Sequence, residues 1–337
     1  TTHPLYIGNC GMHGKYAANM AVMECDLLFS IGTRFNDRIT GDLNEFAPKA
    51  KIVHIDVDTA SISRNVVVDV PVVSDANLAL EKLLEWAESK DTEQWQKEIA
   101  EWDKKNPLEM RRDCGMTPQM VFEHVNRTFG EAVYVTDVGQ HQMWATQYLE
   151  LDSWHQLITS GGLGTMGFGF PAAIGAKIGN RDKEVICFTG DGGFQMNIQE
   201  LETIHRLNLP IKIFVLNNQG YAQIHATQKN IFQGHYVACD ADSHLTLSPI
   251  SAVAGAYGLK TVQIHSNEEL QERVKETLDY DGPVICEVLV PIDLSAFPKQ
   301  VSYKRSDGQM ESLPLEYMNP PLEQEEFERD MLIPLYE

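Results

Sequence analysis

The chain has 337 residues, of which 43% are hydrophobic and 22% charged, and its formal net charge is −21. Such a composition buries a sizeable core, and the length accommodates two domains. The excess of negative charge repels nucleic acid and acidic membrane surfaces, so neither is expected as a partner.

No apolar run reaches the ~18 residues that a membrane-spanning helix needs, so none is expected. The opening TTHPLYIGNC lacks the basic and apolar stretches of a signal peptide. The six cysteines (Cys10, Cys25, Cys114, Cys187, Cys239 and Cys286) are scattered and form no C-x-x-C pair. A reduced, cytoplasmic protein is the expectation, with Cys187 acting as a small hydrophobe inside the apolar run VICFTG.

Along the chain, short β-branched apolar runs alternate with helical patterns, which predicts parallel sheets covered by helices. DLLFSIG, KIVHIDVD and VPVVS read as strands of a first unit. Residues 91–105 predict an amphipathic helix with Trp95, Ile99 and Trp102 on one face, broken by Asn106-Pro107. Thr117-Pro118 reads as the N-cap and first residue of another helix. The runs AVYVTDVG, HQLITS, EVICFTG, IKIFVLNN, KTVQIHS and PVICEVLV then predict a doubly wound α/β domain on a parallel sheet. The expected organisation is a partial Rossmann-like unit over 1–103, a linker over 104–117, the doubly wound domain over 118–295 and an acidic tail over 296–337. Part of the negative charge gathers in that tail, at Glu323, Glu325, Glu326, Glu328 and Asp330.

The pattern with chemical content is Gly190-Asp191-Gly192 at one strand end and, 24 residues later, Asn217-Asn218 at the next. Open α/β sheets bind ligands at the carboxyl ends of their strands. Asp191 offers a hard anionic oxygen, Asn218 a neutral amide oxygen and the backbone near Gly220 a carbonyl, a set that suits Mg²⁺. Glycines at 190, 192 and 193 let the backbone approach a diphosphate closely. A helix expected from about Asn197 points its amide end at the same anion. Taken singly, each cluster reads first as a tight turn, since Gly, Asp and Asn dominate turns.

At this spacing, the pair resembles the GDG…NN signature of thiamine-diphosphate enzymes. Further segments resemble acetolactate synthase large subunits in the same order: GMHGKYAAN (11–19), IGTRFNDRITG (31–41), HIDVD (54–58), GQHQMW (139–144) and SGGLGTMGFGFPAAIGA (160–176). The resemblance implies a thiamine-diphosphate-binding domain preceded by part of a middle domain, and a decarboxylating carboligase that acts on pyruvate or another 2-oxoacid. It implies that Gly139, Gln140, His141, Gly190, Gly192, Gly193 and Tyr221 contact the cofactor. Asp191, Asn218 and the Gly220 carbonyl would hold Mg²⁺. The Gly164 carbonyl would accept from the cofactor's 4′-amino group, and Met166 would wedge between its rings. A lone Met is otherwise core packing, and His141 a structural histidine. FAD in the middle domain would fall on Met12, His13, Gly32, Arg34, Asp37, Arg38, Asp56 and Asp75, although Asn36 stands where the family has Asp. The other reading of those positions is ordinary strand-end turns with surface charges. A homodimer or homotetramer is implied, as is a place in branched-chain amino-acid biosynthesis.

Two departures stand out. The family's N-terminal domain, with the glutamate that activates the cofactor, has no counterpart in this sequence, so the isolated chain is expected to be inactive. After Asn218 the chain continues QGYAQIHATQKNIFQGHY, with no Trp beyond Trp154. That stretch is closer to related decarboxylases and carboligases, and it leaves His225, Gln228 and Phe232 either lining a substrate pocket or on a solvated helix or loop. A related 2-oxoacid decarboxylase or C–C lyase, and a catalytically silent thiamine-diphosphate-binding form, are the competing readings. The tail would act as a lid or remain free.

Overall fold

The computed structural model describes residues 1–108, 115–127, 131–152, 155–294, 298–300, 302–304, 310–319 and 331. Two compact units emerge: Leu5–Glu109 with Phe297–Glu337, and Thr1–Pro4 with Met110–Ala296. The acidic tail residues Glu323 to Asp330, Cys114 and Trp154 lie outside the described residues.

The first unit runs α1 (Tyr16–Glu24), β1 (Leu27–Ile31), α2 (Asp37–Thr40), β2 (Lys51–Asp56), β3 (Val70–Val73), α3 (Ala76–Leu84) and α4 (Glu93–Lys105). Its strands form a parallel sheet in the order β1-β2-β3. Met23, Phe35, Phe46, Ile52, Val66 and Leu315 make its main core. Side chains alternate across a strand, and the edge strand β1 turns Leu27, Phe29 and Ile31 outward while Ser30 is buried. The expected Trp face of α4 is present: Trp95 and Trp102 meet edge to face with ring centroids 5.7 Å apart, and Trp102 packs on Tyr16, Met20 and Met318. Lys15 reaches Asp103 of α4 at 3.1 Å. Short antiparallel pairs join β10 (Lys299–Gln300) to β13 (Met318–Asn319) and β11 (Ser302–Lys304) to β12 (Met310–Ser312).

The second unit holds α5 (Pro118–Asn126), β4 (Ala132–Thr136), α6 (Gln140–Tyr148), β5 (Gln156–Thr159), α7 (Gly169–Gly179), β6 (Glu184–Gly190), α8 (Asp191–Met196) and α9 (Glu200–Arg206). It continues with β7 (Ile211–Asn217), α10 (Ala222–Ile231), α11 (Ile250–Ala256), β8 (Lys260–Ile264), α12 (Leu270–Asp279) and β9 (Val284–Leu289). The strands form one six-stranded sheet, all parallel, in the order β5-β4-β6-β7-β9-β8.

Both faces are covered, which is why these strands read as unbroken apolar runs. On one face Tyr134, Ile186, Phe188, Phe214 and Cys286 pack with Phe122 of α5, Trp144 of α6 and Val274 of α12. On the other, Val133, Val135, Val185, Cys187, Ile213 and Val215 pack with Ala173 of α7, Ile204 of α9 and Ala254 of α11. Cys187 is fully buried among them, as expected of a small hydrophobe. The helix expected from about Asn197 is corrected. A six-residue helix, α8, starts at Asp191 itself and ends at Met196, with Asn197 as its cap, and α9 follows from Glu200. Among the described residues no helix is long and apolar enough to cross a membrane.

Phe188 has no exposed surface, and its ring lies 4.7 Å from Phe122 and 5.6 Å from Phe214. Phe188→Ala should therefore cost ~3–5 kcal/mol through lost burial and a cavity. The urea unfolding midpoint checks this, and an unchanged midpoint would mean that the ring does not support the sheet.

Candidate functional site

From β4 the chain moves outward to β5, then returns to place β6 on the other side of β4. Strand order reverses there, and a crevice opens beyond the carboxyl ends of β4 and β6. It is lined by Gly139, Gln140 and His141 from the start of α6, by Gly190, Asp191, Gly192 and Gly193 from the β6–α8 turn, and by Asn218, Gly220 and Tyr221 after β7. Met166 also lines it and is 37% exposed, so it does not serve as core packing. Gly164 is not part of the lining. Val138, Trp144, Leu216, Ala222, Gln223 and Ile224, which the sequence did not single out, are. His225, Gln228 and Phe232 are not: His225 stacks on Tyr236 at 4.4 Å, Gln228 donates to the Val237 carbonyl, and Phe232 is exposed.

Glycine is required at two points. Gly139 has φ 153°, and a Cβ there would sit 2.9 Å from the His141 ring. A Cβ on Gly192 would overlap the Tyr221 ring, so its absence lets Tyr221 lie against the β6–α8 turn.

Asp191 is 2% exposed. Its Oδ1 accepts from Gly192 N at 2.8 Å and its Oδ2 from Gly220 N at 3.0 Å, which ties the end of β6 to the turn after β7. Burial pushes its pKa up to about 6, against the opposing pull of these backbone donors. Asn218 donates from Nδ2 to Gln140 Oε1 at 3.5 Å, while its buried Oδ1 has no hydrogen-bond partner among the described residues. His141 Nε2 and Trp144 Nε1, also buried, are likewise unpartnered. Buried polar atoms are seldom left so, and three such atoms on one crevice mark a place for a polar ligand. Burial lowers the His141 pKa to about 4, although the charge of Asp137 and a hydrogen bond to its backbone pull the other way. The imidazole is thus neutral near pH 7.

Sequence reasoning missed Asp137, which ends the run AVYVT and is 1% exposed. Its Oδ1 accepts from Val138 N at 2.7 Å and Gly167 N at 3.0 Å, and its Oδ2 from Gly169 N at 2.8 Å. Asn197 Nδ2 holds the Gly167 carbonyl at 2.7 Å. Together they pin the turn that presents Met166. An acid where an apolar strand stops was the available signal.

The positions considered for FAD lie in the first unit. Gly32, Asp56 and Asp75 stand at or just beyond the carboxyl ends of β1, β2 and β3. Met12 N donates to Arg38 O at 2.7 Å, and Arg38 Nη1 approaches Met12 Sδ at 3.3 Å, which brings Met12 and His13 beside α2. Burial first, then the charges of Lys299 and Arg38, lower the His13 pKa to about 4. Asn36 caps α2 by accepting from Arg38 N at 3.1 Å, and Asp37 begins the helix. Asp75 caps α3, Asp56 accepts from Asp58 N, and the Arg34 carbonyl accepts from Asn65. Among the described residues no group of three or more His, Cys, Asp or Glu side chains could hold a metal. The crevice instead offers one carboxylate with neutral oxygens.

The family description "Thiamine pyrophosphate enzyme, C-terminal TPP binding domain" matches residues 137–288, and "Thiamine pyrophosphate enzyme, central domain" matches residues 1–83. The chain belongs to the thiamine pyrophosphate enzyme family. It is similar to the acetolactate synthase large subunit of Cyanidium caldarium, 38% identical over 318 residues that cover 91% of this chain and 53% of that protein. The Haemophilus influenzae large subunit is 38% identical over 329 residues, covering 95% and 57%. The probable acetolactate synthase large subunit of Methanocaldococcus jannaschii is 41% identical over 300 residues, covering 86% and 50%. The chain spans about half the length of the curated relatives it matches.

The folded pKa of His141 is depressed from 6.5 to about 4, so between those values the unfolded chain takes up the proton first. The stability held by the neutral imidazole is present above pH 6.5 and is lost as pH falls towards 4. Asp191, with its raised pKa, contributes the opposite slope, so the comparison must isolate the histidine. The stability of the protein relative to His141→Gln should drop by about 3 kcal/mol from pH 6.5 to pH 4, read from urea unfolding. A difference independent of pH would contradict a buried neutral imidazole.

Proposed function

We propose that the chain is the cofactor-holding part of a carboligase that depends on thiamine diphosphate and Mg²⁺. It would decarboxylate pyruvate or another 2-oxoacid and form a carbon–carbon bond with a second 2-oxoacid, as an acetolactate synthase does. The observation that carries this reading is the crevice itself. A buried carboxylate with a raised pKa lies with an unpartnered Asn218 oxygen and the unpartnered nitrogens of His141 and Trp144. That donor set fits a hard cation bound to a diphosphate.

Asp191, Asn218 Oδ1 and the Gly220 carbonyl would hold Mg²⁺, whose charge would offset the cost of burying the carboxylate. The turns at Gly139–His141 and Gly190–Gly193 would receive the diphosphate. A neutral His141, whose other ring nitrogen donates to the Asp137 backbone, would present Nε2 as an acceptor without adding charge. Tyr221 would close one wall, and Met166, held by its pinned turn, would bear on the rings beside the Gly164 carbonyl. The bound cofactor supplies the electron sink for decarboxylation and bond formation. FAD bound at the strand ends of the first unit, a homo-oligomeric assembly and a cytoplasmic setting belong to the same proposal.

The stretch after Asn218 favours a second reading, a related 2-oxoacid decarboxylase or C–C lyase. There Ala222, Gln223 and Ile224 face the crevice, small or flexible side chains where a specificity pocket is built. Products formed from pyruvate when the chain is combined with a domain that carries the activating glutamate separate the two: acetolactate supports the carboligase, whereas acetaldehyde alone supports the decarboxylase. The cofactor assignment is tested by titrating thiamine diphosphate into the chain with Mg²⁺ and following tryptophan fluorescence. Asp191→Ala should weaken this Mg²⁺-dependent binding by about 100-fold, since it removes the carboxylate of the set. Unchanged affinity would remove the metal assignment.

A further inference from the structure

The paired asparagines after β7 have different surroundings. Asn218 lines the crevice with Gln140, whereas Asn217 faces a buried acid on the neighbouring strand. Glu287 of β9 is 5% exposed and meets no cation at salt-bridge distance among the described residues. Its Oε1 accepts from Asn217 Nδ2 at 2.7 Å. Its Oε2 accepts from Ser251 Oγ of α11 at 2.7 Å and from Gln263 Nε2 of β8 at 2.9 Å. Burial acts to raise its pKa, but the three side-chain donors, with the Ser251 backbone, outweigh it and the pKa lies below the ordinary value. The carboxylate is thus an acceptor, which fixes the orientation of the Asn217 amide. With Nδ2 committed to Glu287, Oδ1 is left for the backbone, and it accepts from Gln219 N at 2.9 Å. Gln219 is in the left-handed region with φ 61°, a conformation that needs outside support in a residue with a side chain. The next residue, Gly220, donates its N–H to Asp191.

We infer that Glu287 is a positioning residue for the metal site: it orients Asn217, which locks the left-handed Gln219 turn and so sets Asn218 Oδ1 and the Gly220 carbonyl. This rests on the proposed Mg²⁺ and thiamine-diphosphate reading of the crevice. Glu287 reaches neither ion nor cofactor. It acts through one amide whose polarity it dictates, and the doubled asparagine acquires a division of labour: one for the turn, one for the ligand.

The polarity argument can be tested by exchange. In Glu287→Gln, an NH₂ faces the Asn217 NH₂; flipping Asn217 sets its NH₂ against Gln219 N–H, and flipping the introduced glutamine sets its NH₂ against the Gln263 NH₂. When Glu287→Gln is combined with Asn217→Asp, the donor and acceptor trade places. The introduced glutamine donates to the introduced aspartate and accepts from Ser251 and Gln263. The aspartate keeps an oxygen for Gln219 N–H. The charge count is the same as in the parent.

The readout is the Mg²⁺ concentration for half-saturation at fixed, saturating thiamine diphosphate, measured well below each variant's melting temperature. Glu287→Gln should raise it by ~10–100-fold, the usual effect of losing an outer-shell partner, and the double exchange should return it to within about 3-fold of the parent. A merely structural role would lower the melting temperature and leave this concentration unmoved. A folded Glu287→Gln that binds Mg²⁺ like the parent overturns the inference, as does a double exchange no better than the single. Should Glu287→Gln fail to fold, Asn217→Ala decides: it keeps the Ser251 and Gln263 bonds to Glu287 and removes the link from Glu287 to the Gln219 turn. A rise of the same size supports the inference, and parent-like affinity overturns it. If the parent itself binds no thiamine diphosphate with Mg²⁺, it is the cofactor reading that fails.

Discussion

A carboxylate taken out of water governs the crevice. Removing an anion from solvent costs several kcal/mol unless hydrogen bonds or a counter-charge compensate. Asp191 receives backbone bonds, those from Gly192 and Gly220 among them, yet its pKa still stands near 6. Compensation is therefore incomplete, and the deficit is of the kind that a divalent cation removes. The same two bonds have a geometric effect. They join the end of β6 to the turn after β7, so the electrostatic demand of one side chain also sets the width of the crevice.

Two further buried acids support that arrangement by different means. Asp137 is met by backbone N–H groups alone, from Val138, Gly167 and Gly169, and so converts a strand end into an anchor for a glycine-rich turn. Glu287 is met mainly by side chains, from Asn217, Ser251 and Gln263, with the Ser251 backbone beside them. Asp191 differs in that its burial outweighs the backbone bonds that it receives. Hydrogen bonds to ionised acceptors are the stronger kind, so these anchors hold loops that would otherwise sample several conformations.

Much of the fold was legible in the sequence because its signals are local. Runs such as VICFTG and IKIFVLN are apolar on both strand faces, and the strands observed at Glu184–Gly190 and Ile211–Asn217 are covered by helices on both sides. The start of α8 was not legible. Its residues Asp191, Gly192 and Gly193 are poor helix formers, and the helix stands because Asp191 and Phe194 are buried against the sheet. The site was legible in part. Gly139, Gly190, Gly192, Gly193, Gly220, Asp191, Asn218 and Met166 do meet on one crevice, whereas Gly164 does not, and nor do His225, Gln228 and Phe232. The helix that carries them turns Ala222, Gln223 and Ile224 toward the crevice and points His225 at Tyr236.

What the sequence determined by itself was therefore the element order, the parallel doubly wound sheet and the oxygen chemistry at two strand ends. Each of these is written within a short window of side-chain periodicity or turn chemistry. The tertiary structure alone decided that His141 is neutral, that Asp137 pins the Met166 turn, that Tyr221 lies over Gly192, and that Asn217 and Asn218 serve different partners. Those properties depend on burial and on hydrogen-bond partners far away in the chain, as Asn217 and Glu287 are, 70 residues apart. A local pattern cannot encode a dielectric environment or a distant acceptor. Only packing brings them to the same place.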